Sequence, residues 1–419
     1  MLIGLLLILA KLFVAGREVA IAWRFGVGSL VDAYQLSLTI ATWLPVMLTN
    51  VMTVVLVPRL VQLQSRPEEQ KLFLAELNGS VFAVGILLAV AVWLAAPGAS
   101  ALLGSRTEPA TLQLTASISR RIAPVALFMI VAGYLSARLQ SSERFAYSVT
   151  EAIPAAMIAL LVLVPVAISS ESRLVSGALL GYAMQVVVLG TMLYRGDRSV
   201  ALVRLRHRSA EWPSIYRALL IMAAGQLVLT VTLPIDQLFA SGLGEGAVAT
   251  LGYANRIITL VTSFGVVVLA RALLPVLSGT AAAGNYALGS RQARQWGWLL
   301  FGAGLAVGAV GAFVAPLIVS LLFQRGAFTA GDTEAVAKLL RFGMLQLPFY
   351  FAGLALVQWI AAIGRYGVLL VVACAALTVK ILANLLLVQP LGLEGLLVAT
   401  AAMYALSFTL QYLFVVRTK

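Results

Sequence analysis

Charge is scarce in this chain. Only 11% of its 419 residues are Asp, Glu, Lys or Arg, against 61% hydrophobic residues and a mean hydropathy of +1.00. Soluble domains carry about 25% charged and roughly 45–50% apolar residues, so a soluble domain is excluded. Cysteine occurs once, as Cys374, which rules out an intramolecular disulfide and a cysteine-rich metal site. Histidine also occurs once, as His207, so a histidine-based metal centre or catalytic triad is excluded. Clustered loop carboxylates are lacking as well, and nothing proposes a hydrolase or ligase. No metal or cofactor is expected.

What the chain has is long apolar runs. They extend about 20 to 28 residues, the length of a helix crossing a ~30 Å hydrocarbon core, whereas a β-barrel would alternate in segments of roughly ten. Twelve spans are expected, near 2–24, 33–61, 77–103, 115–139, 146–169, 174–194, 214–242, 247–276, 295–323, 335–362, 366–388 and 393–416. The opening run "MLIGLLLILAKLFVAG" has neither a basic start nor a small-residue cleavage site, and reads as a retained first helix. The fold class is an all-α integral membrane protein of about twelve transmembrane helices.

The longest polar connection, "YRGDRSVALVRLRHRSAEWPSIYR" from Tyr194 to Arg217, lies midway. It divides the chain into two six-helix lobes, 1–205 and 206–419. The excess of 29 Lys and Arg over 16 Asp and Glu gives a net charge of +13. These residues are spread through short connections, so they report topology rather than nucleic-acid binding, and no nucleic-acid partner is expected. One set of loops holds Arg59, Arg66, Lys71, Arg138, Arg144, the run from Arg195 to Arg208, Arg291, Arg294, Arg365, Arg417 and Lys419, while the opposite set holds chiefly Arg106, Arg173 and Arg325. The positive-inside bias then places both termini in the cytoplasm. A rival reading of the run around His207 is an anionic-lipid patch.

The halves resemble one another. "DAYQLSLTIATWLPVMLTNVMTVVLVPRL" in the second span compares with "LGYANRIITLVTSFGVVVLARALLPVL" in the eighth, and "YLSARLQSSERFAYSV" with "ALVQWIAAIGRYGVLL". Equivalent helices six spans apart share an orientation, an arrangement found in transporters that alternate access.

Charges inside the spans are the candidate functional residues. A cation or Asp at mid-membrane costs about 2.5–3.5 kcal/mol on insertion scales, so several in one bundle must face a wet cavity or pair with each other. In "GREVAIAWRFGVGSLVDAY" these are Arg17, Glu18, Arg24 and Asp32, preceded by Lys11. Lys11 and Glu18 share a helix face, as do Arg17 and Arg24, and Gly16 permits a bend. Arg24 also reads as an interface residue that snorkels. In "LPIDQLFASGLGEGAVATLGYANRI", Asp236 and Arg256 are candidates for a pair across a hairpin, and Lys380 in "LTVKILANLLL" is a cavity lining or a partner for Glu151. Cations outnumber anions, which suits an anionic substrate. Arginine favours phosphate or pyrophosphate because its planar fork bonds in bidentate fashion. Pro45, Pro58, Pro154, Pro234, Pro275 and Pro348 supply bends or hinges.

"GREVAIAWRFGVGSLVDAY", "LLFQRGAFTAGDT", "LQLPFYFAGLALVQWIAAIGR" and "NLLLVQPLGLEGLLVATAAMY" together resemble the MurJ (MviN) lipid II flippase family of the multidrug/oligosaccharidyl-lipid/polysaccharide exporter superfamily, which includes MATE transporters. By that resemblance, Arg17 matches the arginine of an "ARD" segment with Glu18 for its aspartate. Lys11 stands where an "SR" arginine falls, Asp32 matches the aspartate of "DAF", and Arg256 the arginine of "YADR". The second span departs from the family, lacking its "LRR" and "EGAFS". With twelve expected spans against the family's fourteen, the resemblance is to a divergent, shortened member.

The resemblance implies a flippase of the bacterial cytoplasmic membrane that moves an undecaprenyl-pyrophosphate-linked saccharide, lipid II foremost, by alternating access. Lys11, Arg17, Asp32 and Arg256 would bind substrate, and Glu18, Asp236 and Lys380 would line or gate the cavity. Membrane lipids and the cell-wall or polysaccharide synthesis machinery are the expected partners. An exopolysaccharide repeat unit is the alternative cargo. A MATE-type cation antiporter is a further alternative that the cationic excess disfavours.

Overall fold

The computed structural model describes residues 2–103, 109–142, 147–165, 168–195 and 203–417, apart from the side chains of 2–12, 97, 99–103, 110, 148, 221, 229, 264, 266–272, 274 and 275. Among the described residues there is no strand, and the helices are α1 (Leu2–Phe25), α2 (Ser29–Leu63), α3 (Pro67–Leu103), α4 (Pro109–Ile122), α5 (Pro124–Ser141), α6 (Tyr147–Thr150), α7 (Ala152–Leu163) and α8 (Ser170–Tyr194), continuing with α9 (Trp212–Thr230), α10 (Thr232–Ser241), α11 (Ala247–Ala282), α12 (Tyr286–Phe323), α13 (Ala330–Met344), α14 (Leu347–Ala362), α15 (Tyr366–Leu391) and α16 (Leu393–Arg417).

These helices occupy the twelve expected runs. Among the described residues, seven stretches are long and apolar enough to cross a membrane, and two bent pairs bring the number to nine. The remaining runs are α1, the α6–α7 pair and α11. Helix breaks fall where the sequence puts proline. α4 and α5 meet at 45° before Pro124, α13 and α14 at 41° before Pro348, and α9 gives way to α10 just ahead of Pro234. Proline removes a backbone N–H and clashes with the preceding turn. Both helix pairs bent by more than 40° among the described residues fall in the fourth expected span of their half. Pro45 and Pro58 ride inside a continuous α2, and α1 runs unbroken through Gly16.

Contacts divide the chain into Met1–Thr230 and Val231–Lys419. The sequence reading puts the boundary at 205/206. In the structure the segment after 203 is bonded to α3, and α9 packs on α2, so the division falls at the α9–α10 break.

In the first unit, α2 packs on α4 and α5, α7 on α1 and α8, and α3 on α5. Its core joins Leu56, Leu60, Phe73, Leu77, Ile130, Leu135, Leu189 and Trp212. Lipid gives apolar helices no hydrophobic reason to associate, so close packing of small residues takes over. Gly181 shows this, since a Cβ there would lie 2.6 Å from the Pro154 backbone.

In the second unit, α12 packs on α14 and α15 on α16. Gly304 is the matching close approach, where a Cβ would lie 2.7 Å from the Leu347 carbonyl oxygen. Large apolar side chains point outward along α12, with Phe313 86% and Leu321 63% exposed. Such a face suits acyl chains rather than water.

Candidate substrate-binding residues

Arg17 lies two-thirds of the way along α1 and is buried, as is Glu18. Its Nε donates to Glu18 Oε1 at 3.1 Å, and Nη2 donates to the same oxygen. Tyr34 and Tyr182 are its electrostatic neighbours. A buried guanidinium is thus neutralised by its own chain neighbour. Of its five N–H donors, the two given to Glu18 leave three.

Asp32 is 3% exposed in the first turn of α2, where the positive end of the helix dipole favours a carboxylate. Lys11 belongs to α1, but its side chain lies outside the described residues. Arg24 is exposed, and so is Arg256 on α11.

The expected Asp236–Arg256 pair is replaced by another. Lys380, 0% exposed on α15, donates to Asp236 Oδ1 at 2.8 Å, to the Leu396 carbonyl at 2.8 Å and to Thr400 Oγ1. Asn384 Nδ2 donates to the same Asp236 oxygen at 3.1 Å. The ammonium has three donors and finds three oxygens, so Lys380 is satisfied without the Glu151 carboxylate. Glu151 is exposed at the end of α6. The network ties α10, α15 and α16 together.

Two of the cations counted toward an anionic-substrate cavity are therefore paired where they stand. Sequence reasoning missed Asn384 and Thr400. A signal was present, because Asn384 follows Lys380 by four residues and shares its helix face.

The "LLFQRGAFTAGDT" motif forms a helix start. Gly326 takes a φ of 64°, Phe328 is buried against Tyr253 and Phe323, and Thr329 caps α13. Thr329 Oγ1 accepts from Asp332 N at 3.2 Å while Asp332 Oδ2 accepts from Thr329 N at 2.8 Å, a reciprocal capping box.

A chain of paired, bent spans with buried Arg–Glu and Lys–Asp pairs inside apolar helices is a polytopic α-helical membrane protein. It superposes on a structure described as lipid II flippase MurJ in an inward closed conformation, with a TM-score of 0.83 at 18% identity, over 100% of this chain and 87% of that one. It also superposes on an inward-facing MATE family multidrug resistance transporter of the MOP superfamily, with a TM-score of 0.76 at 14% identity, over 97% and 93% of the two chains. The family model described as lipid II flippase MurJ matches residues 21–419, and the chain belongs to that family.

A probable lipid II flippase MurJ of Bdellovibrio bacteriovorus is 29% identical over 227 residues, 53% of this chain and 42% of that protein. One of Rhizobium tropici is 26% identical over 298 residues, 67% and 54% of the two. The matches span about half the length of these curated relatives.

Proposed function

We infer that this chain is a flippase for a polyprenyl-pyrophosphate-linked saccharide, with lipid II as cargo, working by alternating access of two lobes. It sits in the bacterial cytoplasmic membrane with both termini in the cytoplasm, beside the cell-wall synthesis machinery. The carrying observation is Arg17, a guanidinium 8% exposed within an apolar helix. Buried charge in a span is costly, and a position that keeps it marks a functional site.

In this reading Glu18 holds the Arg17 fork in one orientation, and the three remaining N–H groups bond pyrophosphate oxygens. Lys11 adds charge to that capture, Asp32 orients donors at the start of α2, and Arg256 is a further substrate-binding cation. Asp236 and Lys380 fix the gating helices rather than touch cargo. Arginine suits the task because its planar donors match phosphate oxygens. Membership of the lipid II flippase family supports the cargo assignment.

A second reading, an exopolysaccharide repeat unit as cargo, is favoured by "LPVMLTNVMTVVLVP" in α2, which lacks an arginine. One experiment separates the two. Expression in a strain depleted of its lipid II flippase restores growth if lipid II is the cargo. Failure to rescue, with loss of exopolysaccharide when the gene is deleted in its own host, replaces lipid II by the second cargo. Normal peptidoglycan and normal exopolysaccharide after deletion overturn both.

A further inference from the structure

The segment from Val203 to Arg217 is polar in sequence but is held in place as if it were core. Its anchor is Glu76 on α3, a carboxylate with 0% exposure. Glu76 accepts from Arg208 N at 2.7 Å, Ser209 N at 3.1 Å and Trp212 Nε1 at 2.7 Å. Arg204 N donates to the Ala75 carbonyl at 2.8 Å, and a Cβ on Gly79 would lie 2.1 Å from the Arg204 carbonyl oxygen. The His207 ring stacks on Trp212 at 4.0 Å and joins Ser80 Oγ at 2.7 Å to Tyr216 OH at 2.8 Å. The backbone groups and the Trp212 indole face inward, while His207 and Tyr216 lie at the exposed rim.

The arginine side chains of the segment face outward. Arg204, Arg206, Arg208 and Arg217 are all exposed, and none is ion-paired among the described residues. Their neighbour Arg59 differs, being paired with Glu211. Interleaved with the arginines, Val203 is 56% and Leu205 72% exposed. Four exposed guanidinium groups, two of them alternating with Val203 and Leu205, beside helices that cross the membrane, match one chemistry, that of the headgroup layer. Apolar side chains enter the acyl boundary while cations stay level with the phosphates.

We propose that residues 203–217 form a preorganised docking surface for anionic phospholipid headgroups. The occupant is a lipid phosphate because the apolar side chains lie among the arginines, an arrangement that a site for free phosphate does not need. Docking against α3 means the arginines are already placed, so binding does not have to order the loop. The inference is independent of the cargo assignment and rests only on the chain being embedded in a membrane.

The test uses the purified full chain reconstituted in phosphatidylcholine vesicles doped with spin-labelled phosphatidylglycerol or spin-labelled phosphatidylcholine. The motionally restricted fraction of each lipid is measured. The wild-type chain is expected to prefer phosphatidylglycerol by about fivefold, the factor equivalent to the ~1 kcal/mol of one basic residue at an anionic surface. That preference should collapse in 1 M salt, where the Debye length is about 3 Å. Exchanging all four arginines for glutamine should remove most of it. Exchanging all four for lysine should keep most of it, and R291Q with R365Q, two exposed arginines elsewhere, should leave it unchanged.

The proposal is overturned if the glutamine variant retains the wild-type preference, or if the R291Q/R365Q variant loses as much. It is also overturned if millimolar inorganic phosphate abolishes the preference, or if added undecaprenyl pyrophosphate displaces phosphatidylglycerol from the wild-type chain but not from the glutamine variant. Should the glutamine variant fail to fold, the lysine variant and the salt titration of the wild type decide. Insensitivity of the wild type to salt is then the overturning result.

Discussion

Lys380 and Asp236 meet at 2.8 Å across a buried contact between α15 and α10. The pair is an internal tie of the second unit, because the same ammonium also bonds Leu396 and Thr400 on α16. Removing one partner of a buried pair leaves the other charge stranded, which costs about 3–5 kcal/mol. Lys380→Met and Asp236→Asn, each alone, should destabilise the chain by that order in an SDS-unfolding titration. Combining them should recover much of the loss. Additive single effects would show that the two residues are not coupled.

Arg17 and Glu18 pose the opposite case, since their pair is made by sequence neighbours. Consecutive positions on a helix do not face each other, and only a side chain as long as arginine closes the gap. Arg17→Ala should abolish cargo export while leaving membrane insertion intact. Arg17→Lys should retain charge but lose the fork and give partial activity. Complementation growth combined with quantification of membrane-inserted protein reads both. Full activity of Arg17→Ala would remove the guanidinium from the capture step.

The spans were legible because membrane crossing demands a length and an apolarity that hydropathy reads directly. Of the prolines read as hinges, Pro348 marks a bend and Pro234 a break, while Pro45 and Pro58 sit in an unbroken helix and the 45° bend at Pro124 was not foreseen. Partner choice was not legible. Asn384 and Asp236 are 148 residues apart, and a helix apolar on all sides carries no stripe to say which face meets which neighbour. The Asp236–Arg256 pairing failed for that reason, since closeness in sequence was the only guide. Glu76 was passed over because it stands at the edge of an expected span, where an acidic residue reads as solvated. Its three hydrogen bonds come from residues 132 to 136 positions away.

The capping box at Thr329 separates a motif that folds from one that acts. Thr329→Ala deletes the acceptor for Asp332 N and should cost about 0.5–2 kcal/mol, read as an earlier unfolding midpoint. Ser at the same position should restore it. Neither change should alter export at permissive temperature, because the box lies at a helix start and its hydrogen bonds are internal. Loss of export at full stability in Thr329→Ala would assign the motif a direct role.

Glu76 makes the connection before α9 structural. Its carboxylate holds Arg208 N, Ser209 N and Trp212 Nε1, so Glu76→Ala withdraws three acceptor contacts and leaves buried donors unsatisfied, at about 1–3 kcal/mol for each such group. Undocking exposes the backbone at Arg204, Arg206 and Arg208, all of them trypsin sites. Trypsin should therefore nick this segment in the wild type only slowly, and in Glu76→Ala far faster, with cleavage mapped by mass spectrometry to residues 204–208. His207→Ala removes the ring that bridges Ser80 and Tyr216 but leaves the Glu76 bonds, so it should fall between the two. Equal nicking rates in all three would mean that the segment's order does not depend on α3.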